Sequence, residues 1–155
     1  MKISDILTPA GIVSQLSGGD KEAVLAEMAT HLSLHLLDVN LSSATILAAL
    51  LTREGLGSTG VGEGVAIPHA KLAGIGHPMA GFGRQPAGVA FDAIDLRPVH
   101  LIFVLLVPEN SAGAHLKALA RVSRLLKSAP FRASLLAAGD ATAIYDAFLG
   151  EDAQY

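Results

Sequence analysis

His69 is the side chain best placed to do chemistry in this sequence of 155 residues. It follows the apolar run at residues 65–67, which predicts a buried strand end, and Pro68, which has no N–H to donate to a sheet. We therefore expect the strand to stop at Pro68 and the imidazole of His69 to project from the end of the sheet, where open α/β folds bind ligands. A neutral imidazole there can be a nucleophile, a base or a metal ligand. A hydrogen-bonded turn histidine is the alternative.

The segment before this strand, residues 55–64, is dense in glycine. Glycine adopts positive φ freely and allows the backbone to approach a ligand closely, so the segment favours a loop whose amides bind phosphate. It lacks the GxxxxGK[ST] spacing of a nucleotide-binding P-loop. The candidate phosphate-binding residues are Gly57, Ser58, Thr59, Gly60 and Gly62.

Two further side chains are candidates for the same site. His115 lies near a predicted helix start, where the partial positive charge of the helix end disfavours imidazolium and suits a neutral donor that faces an anion. Arg53 lies in the last turn of the helix before the glycine-rich loop. Its guanidinium either interacts with the C-terminal dipole of that helix or grips two phosphoryl oxygens at once, which lysine cannot do.

The other titratable residues give weaker signals. His31 and His35 have the i, i+4 spacing of paired metal ligands on a helix, but no third ligand accompanies them, so we predict no metal site. Asp92 and Asp95 are candidates for an acid–base pair, although capping and turning the chain before Pro98 is the preferred interpretation.

Five helices are predicted to position these residues. The first runs through Leu37, and the second ends near Arg53 with Gly55 as its C-terminal glycine. The predicted starts are Asp20, Ser42 or Ser43, the loop at residues 110–113 before His115, Pro130 and Asp140.

Strands are expected at residues 65–67, 80–83, 89–91 and 99–107. The last run is apolar at almost every position, as in a central strand that is covered on both faces. Alternating helices and apolar strands predict an α/β domain with helices on both faces of the sheet.

Composition limits the class of protein. A hydrophobic content of 51% fits a single domain spanning residues 1–155, and the absence of cysteine excludes disulfides and thiolate zinc sites. No leader pattern or membrane-length apolar run is present, so a cytoplasmic protein is expected. A net charge of −3 argues against a general nucleic-acid binder. A basic stripe follows His115 and is either a solvated helix face or a docking surface for an acidic partner; it comprises Lys117, Arg121, Arg124 and Lys127.

Several segments resemble the enzyme IIA domains of the phosphotransferase system (PTS), of the mannitol/fructose/nitrogen type (EIIA type-2). Residues 53–54, 56–62 and 65–71 resemble the phosphorylation-site signature of that family, residues 91–108 its central segment, and residues 114–119 its second-histidine helix. The resemblance extends over essentially the whole chain and is greatest to the nitrogen-type regulatory subfamily. It implies a three-layer α/β/α domain with a mixed sheet of about five strands.

The resemblance also implies roles for the site residues. His69 would accept a phosphoryl group through Nε2, His115 would be the second active-site histidine, and Arg53 would lie beside the phosphohistidine with the loop amides. It implies no metal or other cofactor. The donor would be an HPr/NPr-type phosphocarrier protein, and the receiver either regulatory partner proteins or a IIB domain.

Alternatives remain open at this point. The lack of an attached IIB or membrane segment favours regulation over a sugar-specific, fructose- or mannitol-type role. A metal-dependent hydrolase using His69, His115 and an aspartate is a more distant possibility, as is a binding module in which His69 is never phosphorylated.

Overall fold

The computed structural model describes residues 1–36 and 41–155, where the chain forms five α-helices, six β-strands and short 3-10 turns at Ile3–Asp5 and Pro9–Gly11. The helices are α1 (Lys21–His35), α2 (Ser43–Glu54), α3 (Ala112–Leu126), α4 (Ala129–Ala137) and α5 (Ala141–Asp152). The strands are β1 (Ile12–Val13), β2 (Gly60–Gly62), β3 (Val65–Ala66), β4 (His69–Leu72), β5 (Met79–Val89) and β6 (Val99–Pro108).

The strands form one mixed sheet with the order β1-β5-β6-β3-β2. β5 is antiparallel to β6, whereas β3 and β4 both pair with β6 in parallel. β3 and β4 occupy the same edge of β6 one after the other, because β3 pairs at Leu101 and Ile102 and β4 begins at Leu105. The candidate site therefore lies at an interruption between two short strands beside the central strand.

Side chains of β6 alternate between two hydrophobic cores. Ile102, Val104 and Leu106 pack with residues of α1 and α2, whereas the odd-numbered residues from Leu101 to Val107 pack with α3, α4 and α5. Residues 101–107 are at most 2% exposed. The predicted central strand and the helices on both of its faces are confirmed.

The helix starts follow the capping chemistry of the sequence. Asp20, Ser42 and Asp140 each accept a backbone N–H from the first turn of α1, α2 and α5, as predicted. The cap of α4 is Ser128, because Pro130 lies at the second helical position, where its missing N–H is tolerated. The first helix was expected to run through Leu37, but α1 ends at His35 and residue 37 lies outside the described residues.

The strands differ from expectation in number and length. The described residues form six strands, where about five were predicted. The runs predicted at 80–83 and 89–91 are one long strand, β5, which leaves Phe91 outside the sheet. The strand does stop before Pro68, as expected, but the prediction did not include the new strand that begins at His69. Proline lacks a donor but keeps its carbonyl, which accepts the Leu105 N–H at 2.9 Å, so pairing resumes with β4 at the next residue.

Candidate active site

His69 is the first residue of β4 and is held by the break in the strand. The buried Pro68 ends β3 pairing, and the next residue pairs in register with Leu105 of β6. The imidazole ring of His69 is half-buried, and the backbone of this residue is fixed by its pairing with β6. The sequence predicts a histidine that projects from a strand end; in the structure His69 instead begins the next strand, β4.

The hydrogen bonds of His69 select one tautomer. Nδ1 lies 2.8 Å from the Ile67 carbonyl, which can only accept, so Nδ1 carries the proton. Nε2 accepts a hydrogen bond from Arg53 Nε at 3.2 Å and therefore presents a lone pair. Burial and the Arg53 charge lower the pKa of His69, against opposing effects of the Ile67 hydrogen bond and Glu54. The imidazole is neutral in this arrangement.

Arg53 reaches His69 from the last turn of α2. Its Nη1 donates to the Gly57 carbonyl at 2.7 Å, so the guanidinium is held at one side by the loop that follows the helix. The other side faces His69. This contact goes beyond the helix-dipole interpretation of the sequence, since the guanidinium has two specific acceptors.

His115 comes to the same place from the opposite direction. Its backbone N–H donates to the Ser111 carbonyl at 3.0 Å in the first turns of α3, as the sequence predicts. The ring centroids of His115 and His69 are 5.3 Å apart, and the rings are tilted by 49°. Burial, followed by the charges of His69, Lys71 and Arg53, lowers the pKa of His115. Its Nδ1 is buried without a hydrogen-bond partner among the described residues.

These three side chains share an open surface depression. Cations line it, and among the residues that the structure describes no carboxylate does. The lining residues are Ala49, Thr52, Arg53, Leu56, His69, Ala70, Lys71 and His115. Such a surface can receive an anion at the lone pair of His69.

The predicted phosphate-binding residues of the glycine-rich loop do not line this depression. The buried Thr59 gives both its N–H and its hydroxyl to Glu54, and Ser58 donates to the Phe91 carbonyl at 2.7 Å. The amide of Gly60 donates to Ser58 Oγ at 3.0 Å, and Gly62 belongs to β2. Only Gly57 contacts the site, through the carbonyl that holds Arg53. The hydroxyls of Ser58 and Thr59 and the amides of Thr59 and Gly60 are therefore already engaged in bonds within the protein.

The remaining candidates lie elsewhere or have structural partners. Asp95 accepts the backbone N–H groups of Glu63 and Arg97, as a turn residue does, and these bonds lower its pKa. His31 and His35 stack with centroids 4.2 Å apart. Within residues 1–36 and 41–155, no three His, Asp or Glu side chains are grouped closely enough to hold a metal ion. The hydrolase alternative therefore gains no ligand set.

Comparison with known families assigns the chain to one of them. The family model "Phosphoenolpyruvate-dependent sugar phosphotransferase system, EIIA 2" matches residues 5–150. The chain belongs to this PTS EIIA type-2 family.

EIIA relatives of two kinds, nitrogen-regulatory and fructose-specific, are similar to this chain. A nitrogen regulatory protein of Pseudomonas aeruginosa is 39% identical over 94% of this chain and 93% of its own length. The fructose-specific EIIABC component of Bacillus subtilis is 40% identical over 94% of this chain, but over only 23% of its own length. The crystal structure of the nitrogen regulatory protein IIA-Ntr from Neisseria meningitidis superimposes with a TM-score of 0.87 at 38% identity, covering 94% of this chain and 98% of that one.

Two residues of this EIIA site were missed by sequence reasoning. Lys71 lines the depression because it lies two residues beyond His69 on the same face of β4, a signal that was lost when Pro68 was interpreted as a strand end. Glu54 is buried beside Arg53 and carries the bonds to Thr59. Its sequence signals were its place next to Arg53 at the helix end and its inclusion in the segment at residues 53–54 that resembles the family signature.

No helix in the described ranges combines the length and the apolar character needed to cross a membrane.

Proposed function

We propose that this EIIA protein accepts a phosphoryl group on Nε2 of His69. The observation that carries the proposal is the fixed tautomer of that ring. The Ile67 carbonyl takes the Nδ1 proton, which leaves the Nε2 lone pair facing the Arg53 guanidinium. A neutral imidazole is a competent nucleophile, and the lowered pKa of His69 favours that form at neutral pH.

The proposed transfer exchanges one N–P bond for another. The Nε2 lone pair attacks the phosphorus of a phosphohistidine donor, the donor N–P bond breaks, and its electron pair returns to the donor ring. Nδ1 keeps its proton, so the phosphorylated ring of His69 forms in its protonated, cationic state with Nδ1–H bonded to the Ile67 carbonyl. The donor ring leaves as a neutral imidazole because it carries a proton on its other nitrogen. Because the transition state of phosphoryl transfer is loose, the protein must mainly align the reactants and supply donors to the equatorial oxygens.

Arg53 is the first of these donors. In the resting site its Nε donates to the atom that would be phosphorylated, so this hydrogen bond has to pass to a phosphoryl oxygen as the new N–P bond forms. The Gly57 carbonyl continues to hold Nη1 and keeps the guanidinium beside the reacting atoms. The charge and the planar donor set of Arg53 then both face the transferred group.

His115 is the second donor. Its Nδ1 is buried and unpartnered, and an unpaired buried N–H is less well tolerated than an unpaired acceptor. We therefore assign its proton to Nε2. The neutral ring can donate that proton in a hydrogen bond to a phosphoryl oxygen without itself changing charge.

An HPr/NPr-type phosphocarrier is the proposed donor, and regulatory partner proteins in the cytoplasm are the proposed readers of the phosphorylation state. The similarity to nitrogen regulatory proteins supports this role. A second candidate is transfer to a IIB domain in sugar uptake, which is favoured by the 40% identity to a fructose-specific EIIABC component. The two functions differ in the fate of the phosphoryl group.

The first experiment tests phosphoryl acceptance. The protein is incubated with phosphoenolpyruvate, the first enzyme of the relay and its carrier, and its intact mass is measured under non-acidic conditions because phosphohistidine is acid labile. We expect one phosphoryl group on the parent protein and none on a folded His69→Ala variant. Uptake by that variant would remove His69 from the proposed role.

The second experiment separates the two fates. The phosphorylated protein is isolated and mixed with a fructose-type IIB domain. In a separate assay, the phosphorylated and the unphosphorylated protein are each used to capture partner proteins. A partner that binds one of the two forms more tightly supports the regulatory function. Rapid transfer of the phosphoryl group to the IIB domain, together with support of sugar uptake, would instead show the transport function.

A further inference from the structure

The carboxylate of Glu54 is buried at an unfavourable place. The residue is 9% exposed and is the last of α2, where the negative end of the helix dipole repels a carboxylate. A buried charge of this kind persists only when hydrogen bonds and an opposite charge compensate it. The partners of Glu54 therefore indicate what its burial accomplishes.

Those partners come from two separate parts of the chain. Oε1 accepts the Thr59 N–H at 2.9 Å and also the Thr59 hydroxyl. Oε2 accepts a hydrogen bond at 3.0 Å from Nζ of Lys21, the first residue of α1. Lys21 also pairs with the exposed Asp92 at 3.3 Å. Glu54 thus ties the loop after α2 to the start of α1.

The loop that Glu54 holds is the one that holds Arg53. The Gly57 amide donates to the Glu54 backbone carbonyl at 3.1 Å, and two residues later Thr59 is fixed to the Glu54 side chain. The carbonyl of Gly57 lies between these two anchors along the chain, and it accepts a hydrogen bond from Arg53 Nη1 at 2.7 Å. A chain of contacts therefore runs from Lys21 through Glu54, Thr59 and Gly57 to the guanidinium that bonds His69.

We propose that Glu54 is a positioning residue for phosphoryl transfer, which acts by clamping Thr59 so that the Gly57 carbonyl fixes the plane of Arg53. This inference rests on the proposed function of His69. Glu54 itself does not line the depression, and its carboxylate is fully used by Thr59 and Lys21. Releasing the clamp changes none of the side chains that would contact the phosphoryl group. It only frees the Arg53 guanidinium from its fixed plane.

The test uses two variants that weaken the clamp, Thr59→Val and Glu54→Gln, and two controls, Thr59→Ser and Ile144→Val. Thr59→Val keeps the shape of the side chain and removes the hydroxyl, whereas Thr59→Ser keeps the hydroxyl. Glu54→Gln keeps an acceptor for Thr59 and removes the charge that faces Lys21, which retains Asp92 as a partner. Ile144→Val, in the core on the opposite face of the sheet, controls for general loss of stability.

The rate of phosphorylation is measured at saturating and at limiting concentrations of phosphorylated carrier. Since misplacement by about 1 Å can slow a reaction roughly 10²-fold, we expect the saturated rate of Thr59→Val to fall by about ten- to a hundredfold. The saturated rate of Glu54→Gln should also fall. In both variants the half-saturating carrier concentration should stay near that of the parent. Thr59→Ser should keep most of the parent rate. Ile144→Val should stay near the parent rate even if its melting temperature drops as much as that of Thr59→Val.

A double-mutant cycle with Arg53→Ala gives the decisive readout. If Thr59 acts through Arg53, then Thr59→Val adds no further loss once Arg53 is gone. Additive losses, or a parent-like rate in both Thr59→Val and Glu54→Gln, would overturn the positioning role. A parent protein that takes up no phosphate at all would instead overturn the proposed function, so the two failures are distinguishable.

Discussion

Replacing Arg53 separates the geometry of its guanidinium from its charge. Arg53 has two acceptors in the structure, His69 Nε2 at 3.2 Å and the Gly57 carbonyl at 2.7 Å. Arg53→Ala removes both bonds and the charge. Arg53→Lys keeps the charge, but an ammonium group at the end of a flexible stem cannot reproduce the planar, two-sided contact. The pair of variants therefore distinguishes a planar grip from a point charge.

The expected loss of rate can be bounded from the site. Removing one donor aimed at a developing oxyanion costs about 2.7–4 kcal/mol, or roughly 10²- to 10³-fold in rate. The depression is open to solvent, so we expect Arg53→Ala to lie near the lower end, at about 10²-fold. Arg53→Lys is expected to retain less than about a tenth of the parent rate, because its charge is not held in the plane of the phosphoryl oxygens.

The pKa of His69 provides the independent readout. The positive charge of Arg53 contributes to lowering that pKa, so Arg53→Ala should raise it, whereas Arg53→Lys should leave it closer to the parent value. Time courses of intact mass give the rates, and NMR titration of the His69 ring gives the pKa. A lysine variant with both the parent pKa and the parent rate would refute the planar-grip argument and leave only a charge effect.

Three further predictions test other parts of the site and the fold. His115→Ala should still accept phosphate but at a lower rate, since a supporting donor does not carry the bond; equal transfer in both directions, measured by intact mass, would contradict its role. Burial keeps the folded-state pKa values of His69 and His115 below the ordinary value near 6.5, so stability is present above that pH and is lost as pH falls through the folded values. Urea unfolding between about pH 7.5 and 5.5 should show this decline, and it should be shallower in His115→Gln. Gly60→Ala should lower the free energy of unfolding by about 1–3 kcal/mol, because its Cβ would meet Ala93 at 2.8 Å, whereas Gly76→Ala, with open space around it, should not.

The strand and helix pattern could be predicted from sequence because burial and capping leave strong local signals. The alternation along β6 and the caps at Asp20, Ser42 and Asp140 depend on neighbouring residues only. The break at Pro68 was visible too, but its effect was misjudged. A proline blocks one donor in a ladder, and the sequence does not reveal that Leu105 would use the remaining carbonyl.

The parts of the site that escaped prediction depend on contacts between distant segments. Lys21 and Glu54 are 33 residues apart, and only the packing of α1 against α2 brings them together. Thr59 is the type of residue that binds phosphate in a glycine-rich loop, yet the structure turns it toward the buried carboxylate. Residue type predicts what a side chain can bind, whereas the tertiary structure decides which acceptor it meets.

The charges around His69 connect its proposed chemistry to its proposed regulation. Arg53 and Lys71 line the depression, and no carboxylate of residues 1–36 or 41–155 does, so these residues give the unphosphorylated site a positive surface. A phosphoryl group adds about −1.5 to −2 charges, which is enough to neutralise both cations. The same contacts that would stabilise the transferred group thus remove the positive surface that an acidic partner would recognise. Under the proposed function, phosphorylation would alter partner affinity by changing the charges that make this surface positive, and it would not require a change in fold.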